Sequence, residues 1–304
     1  MKHLLSIADL ERPDIERILE VAESFEEISG RDIKKVPTLR GRTVVNLFYE
    51  SSTRTSSSFE LAAKRLSADL ISVRSAGSAV DKGESLQDTV ATLSAYDPAA
   101  IVIRSPWAGA AQIVARSSSA SVVNAGDGKH EHPSQALLDL FTLRRRIGSL
   151  DGLHIWIVGD VMHSRVARSA IHGMKTMGMT VTVAGPPTLI PPACQELGVK
   201  VSHRLDEAIA HADVIMMLRL QHERMQAGLI PSVREYSRVW GLGLEKLEHC
   251  RPDVLIMHPG PVNRGVELSP EVADGPYSVI LDQVANGVAV RMAVLYLLAG
   301  SKAA

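Results

Sequence analysis

A regular alternation of short apolar runs with stretches of helical spacing constrains this chain more than any other feature of it. Runs at 43–49, 70–73, 100–103 and 121–124 suit single buried strands and are too short for helices. Between them the apolar residues return with helical period, as Ile15, Ile18, Leu19, Ala22 and Phe25 do, and Pro13 suits a first helical turn. A second series of runs follows at 154–158, 180–184, 213–217 and 254–257. Strands linked through helices run parallel, because a parallel pair needs a long crossover. A parallel sheet is then covered by helices on both faces. The expected fold is α/β, with two doubly wound parallel-sheet domains joined by two linking helices. The expected boundaries are a first domain at 1–135, a linking helix at 136–149, and a second domain at 150–283. A C-terminal helix at 284–304 would complete the first domain; Val284, Val288, Met292 and Leu295 share one face of it. A length of 304 residues fits two domains.

Charge narrows the function. Lys and Arg number 33 against 34 Asp and Glu, so the net charge is -1. No overall basic field exists to hold nucleic acid or an anionic membrane, and an anionic substrate must be gathered by local clusters. Two cysteines cannot build a disulfide framework or a four-cysteine zinc site, which fits a reducing compartment. The N-terminus turns polar by Asp9 and Glu11 and lacks the apolar stretch of a signal peptide. The apolar segment 287–300 is broken by Arg291 and falls short of the ~20 residues of a spanning helix. The expectation is a cytoplasmic protein.

One local cluster stands directly after the first strand-like run. Ser52, Thr53, Arg54 and Thr55 place three hydroxyls and a guanidinium at a strand-to-helix turn. A helix N-terminus offers unbonded N–H groups and the positive end of its dipole to an anion. Arg54 adds a fork that matches phosphate. An ordinary Ser/Thr cap beside a surface arginine would give the same four residues.

The surrounding motifs carry a resemblance. They are Phe48-Tyr49-Glu50-Ser51-Ser52-Thr53-Arg54-Thr55, Asp81-Lys82-Gly83-Glu84-Ser85, Ile103-Arg104-Ser105-Pro106, and Asn124-Ala125-Gly126-Asp127-Gly128. His132-Pro133-Ser134-Gln135, Val158-Gly159-Asp160, Arg219-Leu220-Gln221 and His258-Pro259-Gly260-Pro261 follow in order. With these the chain resembles the aspartate/ornithine carbamoyltransferase family, on its aspartate side, over nearly its whole length. The resemblance implies carbamoyl transfer from carbamoyl phosphate to L-aspartate, in pyrimidine biosynthesis, with no cofactor and no metal. It implies that Ser52, Thr53, Arg54, Thr55, Ser78, Lys82, Arg104, His132, Gln135, Pro259 and Gly260 bind carbamoyl phosphate. Among them Arg54, Thr55, Lys82, Arg104 and His132 would act in catalysis. Lys82, Arg165, Arg219 and Gln221 would bind aspartate. The family assembles as homotrimers with shared sites, so Ser78 and Lys82, on a polar segment, would reach into a neighbouring chain's site. Regulatory or dihydroorotase partner chains are left open.

Pro259 stands where ornithine-type relatives usually carry Cys, which favours aspartate. Ser56 replaces the family's usual Arg, and Ser105 stands where some relatives have His. A dinucleotide-dependent oxidoreductase would also use a strand-turn such as 155–160. The fingerprint G-x-G-x-x-G is missing there, since position 161 is Val and position 164 is Ser. A non-catalytic homologue would have lost ligand positions, and none is lost.

Overall fold

A computed structural model describes residues 1–74, 83–221, 225 and 228–300. The chain forms two compact units, Met1–Phe141 with Val284–Ala304, and Thr142–Gln283. The first unit opens with α1 (Arg12–Ser29) and β1 (Thr43–Phe48), followed by α2 (Thr53–Arg65) and β2 (Asp69–Arg74). Next come α3 (Leu86–Ser94), β3 (Ala100–Ser105), α4 (Ala110–Ser117) and β4 (Ser121–Asp127). Helix α5 (Pro133–Ile147) carries the chain out of this unit.

All four strands pair in parallel in the order β2-β1-β3-β4. The Val/Ile/Leu-rich content of the central strands β1 and β3 follows from burial on both faces, whereas the edge strand β2 is only partly buried. Val45, Leu47, Ile101, Ile103 and Val122 pack against Val90 and Leu93 of α3 and against Ala110, Ala111 and Val114 of α4. Fully burying one such side chain contributes about 1.5–3 kcal/mol. Helix α1 buries Ile15, Ile18, Leu19, Ala22 and Phe25, and a capping box between Glu11 and Asp14 sets its start.

The second unit continues with β5 (His154–Val158), α6 (Arg165–Thr176), β6 (Thr180–Ala184), β7 (Lys200–Ser202) and α7 (Leu205–His211). Then come β8 (Val214–Met217), α8 (Val233–Trp240), α9 (Leu244–Leu247), β9 (Leu255–Met257), α10 (Pro270–Ala273) and the start of α11 (Ile280–Ala299). Its parallel sheet runs β7-β6-β5-β8-β9. The core joins Trp156, Val158, Ile215, Met217 and Ile256 to Leu205, Ala208 and Ile209 of α7 and to Tyr236 and Trp240 of α8.

Helix α11 has 20 residues, more than its apolar segment alone indicates, so length and composition would let it cross a membrane. Instead 56% of its apolar window is buried inside the protein. In the first unit Tyr296 meets Phe25 edge-on at 5.7 Å, Ser121 donates to the Leu298 carbonyl at 2.8 Å, and Arg42 donates to the Ala299 carbonyl at 3.0 Å.

Strand order fixes where a ligand can lie. From β1 the chain moves outward to β2 and then crosses to β3 on the other side. From β5 it moves outward through β6 and β7 and crosses to β8. Each reversal opens a crevice at the carboxyl ends of the two central strands, where open parallel sheets bind ligands.

Candidate active site

In the first unit the crevice lies past the ends of β1 and β3, which are in register at Phe48 and Arg104. Tyr49 donates its N–H to the Arg104 carbonyl at 2.8 Å, which holds the two exits together. Ser52 caps α2: its extended backbone turns the hydroxyl to accept from Thr55 N–H at 3.4 Å. No acidic residue sits in the first turn of α2, so its positive end is not neutralised from within the helix. Thr55 is buried, whereas Thr53 and Arg54 are exposed.

Arg104 reaches from β3 between two acceptors. One Nη donates to the Ala125 carbonyl at 3.3 Å and the other to Glu50 Oε1 at 3.0 Å. Its guanidinium plane is thereby oriented in advance. Strand β4 then turns into α5, where His132 and Gln135 are both buried. The His132 carbonyl accepts from Gln135 N–H at 2.9 Å, and its Nδ1 faces the Ser134 hydroxyl at 3.5 Å.

Two carboxylates that sequence reasoning left without a role shape this turn. Buried Asp127 accepts from Gly109 N–H at 2.8 Å, Asn124 Nδ2 at 2.8 Å and Glu131 N–H at 3.1 Å. Buried Glu131 accepts from the Ser6 hydroxyl and from Ile7 N–H. Ser105 is buried too, and its hydroxyl accepts from Trp107 N–H at 3.1 Å, which shapes the exit of β3.

In the second unit the crevice lies past β5 and β8, whose ends pair at Val158 and Met217. Arg165 is the first residue of α6 and is buried. Ser164 caps that helix by accepting from Ala167 N–H at 3.0 Å. Arg219 and Gln221 follow β8. Asp160, fully buried, joins the two exits: Oδ1 pairs with His163 Nδ1 at 2.8 Å and Oδ2 accepts from Gln221 N–H at 3.3 Å. The motif Val158-Gly159-Asp160 was the available signal for this role.

The turn after β9 holds Pro259 and Gly260, and the Gly260-Pro261 peptide is cis. His258 Nδ1 accepts from Gly260 N–H at 2.8 Å, so the proton resides on Nε2, which donates to Glu267 Oε1 at 3.1 Å. Both side chains of that pair are fully buried. Asn263 donates from its backbone to Glu267 and from Nδ2 to the Leu220 carbonyl at 3.4 Å, which ties this turn to the Arg219–Gln221 segment. The Tyr236 hydroxyl is buried beside these groups with no hydrogen-bond partner among the described residues. Burial first, and then the Glu267 and Asp160 carboxylates, push its pKa well above the ordinary phenol value.

The structure thus assembles Ser52, Thr53, Arg54, Thr55, Arg104, His132 and Gln135 in the first unit. It assembles Arg165, Arg219, Gln221, Pro259 and Gly260 in the second. Ser78 and Lys82 lie outside the described residues. Chemically, the first set offers a helix terminus, hydroxyls and guanidinium groups to a phosphate and a carbonyl oxygen. The second offers two guanidinium groups and an amide to carboxylates.

Two family models match the chain. Residues 2–145 match the model of the aspartate/ornithine carbamoyltransferase carbamoyl-P binding domain, and residues 151–298 match that of the Asp/Orn binding domain. The chain is 59% identical over 300 residues to the aspartate carbamoyltransferase catalytic subunit of Syntrophus aciditrophicus, covering 99% of this chain and 98% of that one. It is 60% identical over 297 residues to that of Syntrophobacter fumaroxidans, covering 98% and 97%. Among solved structures, aspartate transcarbamoylase from Trypanosoma cruzi in complex with N-(phosphonacetyl)-L-aspartic acid superposes with a TM-score of 0.88 at 30% identity, covering 97% and 95%. The catalytic subunit of M. jannaschii aspartate transcarbamoylase gives 0.85 at 35%, covering 98% of each chain.

Proposed function

Because this chain belongs to the aspartate/ornithine carbamoyltransferase family, we propose that it transfers the carbamoyl group of carbamoyl phosphate to the amine of L-aspartate. The products are N-carbamoyl-L-aspartate and phosphate, an early step of de novo pyrimidine biosynthesis. The observation that carries this reading is the placement of guanidinium-bearing segments at the switch point of each sheet. The first unit is then the carbamoyl-phosphate-binding domain and the second the aspartate-binding domain.

In this reading Ser52, Thr53, Arg54 and Thr55 hold the phosphate at the start of α2, with Arg104 beside them. Gln135 addresses the carbamoyl amide, and Pro259 and Gly260 present backbone groups near the reacting amine. Arg165, Arg219 and Gln221 hold the two carboxylates of aspartate. The neutral amine attacks the carbamoyl carbon, forming a C–N bond. Thr55, Arg104 and His132 stabilise the oxyanion of the tetrahedral intermediate. The C–O bond to phosphate then breaks, and the departing phosphate takes the amine proton. Positioning two reactants supplies a large part of such a rate.

Ser78 and Lys82 complete the site from a neighbouring chain of a homotrimer, with Lys82 meeting both substrates as a compact charge. A cytoplasmic location agrees with Cys194 and Cys250, which are both free thiols.

The test is a direct assay with carbamoyl phosphate and either aspartate or ornithine. Carbamoylaspartate should form at least about a hundredfold faster than citrulline, because the ornithine side-chain ammonium would face Arg165 or Arg219 without a carboxylate. Equal use of ornithine would overturn the choice of substrate.

A further inference from the structure

A buried polar relay in the first unit stands behind Gln135 and has no part in the scheme above. Asp139 lies one turn further along α5 and is fully buried. Gln135 Nε2 donates to Asp139 Oδ1 at 3.0 Å. A carboxylate only accepts, so the Gln135 amide must present its NH2 end to Asp139. Its carbonyl oxygen is turned the other way and takes no hydrogen bond from the described residues. A carboxylate this deeply buried stays ionised only beside a counter-charge. Arg291, the single cation in the apolar stretch of α11, is buried within electrostatic reach of it. Burial lowers its pKa to about 10, with the Asp139 carboxylate opposing that shift, so the guanidinium is charged at neutral pH.

Arg291 is itself held in place. Its Nη1 donates to the Ser58 hydroxyl on α2 at 2.8 Å, and its guanidinium lies 5.2 Å from the centre of the Phe59 ring. Gly287, one turn earlier on α11, leaves the room: a Cβ there would come within 2.5 Å of Arg291 Nη1.

We propose that Asp139 is a positioning residue that, through its hydrogen bond from Gln135 Nε2, fixes the Gln135 amide with its carbonyl oxygen toward the acyl group of the donor. The site thereby selects a carbamoyl phosphate, whose NH2 can donate to that oxygen, over an acetyl phosphate, whose methyl cannot. This rests on the assignment of Gln135 to carbamoyl phosphate made above. With Asn at 139 either end of the Gln135 amide finds a partner, and the orientation is no longer enforced.

The experiment compares the affinity of the intact enzyme for carbamoyl phosphate and for acetyl phosphate, two donors of equal charge and nearly equal shape. Asp139→Asn should lower the preference for carbamoyl phosphate about tenfold, the worth of one hydrogen bond, with little change for acetyl phosphate. Gln135→Ala should lose the same preference, and Asp139→Asn should add nothing in that background. The pair Asp139→Asn with Arg291→Met leaves no uncompensated buried charge, and it serves if the single variant does not fold. An unchanged preference, or an equal further loss in the Gln135→Ala background, overturns the proposal. A wild-type enzyme that bound neither phosphate would instead overturn the reading of the site itself.

Discussion

At the scale of single residues, the two crevices differ in how their cations are held. Arg54 is exposed at the start of α2, whose cap is the Ser52 hydroxyl. Arg54→Ala should lower kcat by roughly 10²–10³, the usual effect of removing one donor to developing charge. Near-normal turnover at saturating substrate would remove Arg54 from the phosphate site. Arg219 follows β8 on a segment held by Asp160 and Asn263 through backbone atoms. Arg219→Ala should raise the KM for aspartate about 10- to 100-fold, the range for one charge-assisted hydrogen bond, with carbamoyl phosphate binding nearly unaffected. Equal losses for both substrates would contradict its assignment to aspartate.

At the scale of elements, the exits of the central strands matter more than the strands. Gly159, at the exit of β5, has φ +122°, and a Cβ there would lie 2.8 Å from the Tyr236 hydroxyl and 3.2 Å from the Leu218 carbonyl. Gly159→Ala should cost roughly 2–4 kcal/mol from backbone strain and overpacking together. Calorimetry should record a drop of about 5–15 °C in Tm for a unit of this size. Gly152→Ala is the control: φ is +78° but the space beside it is open, so only the strain remains. Equal shifts for the two variants would show that crowding at the β5 exit adds nothing.

Eight of the nine strands among the described residues were legible in the sequence because each is a dense apolar run. Strand β7 was not, since Lys200, Val201 and Ser202 contain one apolar residue and pair only along β6. The site cations stood in recognisable motifs. Their supports did not: Glu131 meets Ser6 and Ile7 from 125 and 124 positions away, and no local pattern encodes such a pairing. Arg291 read as an interruption of an apolar helix, because its partners Ser58 and Asp139 lie on other helices.

At the scale of the whole molecule, the proposed homotrimer with shared sites makes a prediction that no single chain can satisfy. Chains inactivated by Lys82→Ala, mixed with chains inactivated by Arg54→Ala, should regain activity on reassembly, because some sites then draw both wild-type residues. Confirmed mixed trimers without recovered activity would refute sharing. A different consequence follows from the path of the chain. The second unit is one continuous stretch, whereas the first is left at Phe141 and resumed only at Val284. During synthesis residues 142–283 must all emerge before α11 can reach Phe25, Arg42, Ser58 and Ser121. At ~5–20 residues per second, that leaves the unfinished domain waiting on the ribosome for roughly 7–30 s with its docking strip for α11 bare. The later part of the gene is thus translated into a finished domain first, and the earlier part becomes a native one last.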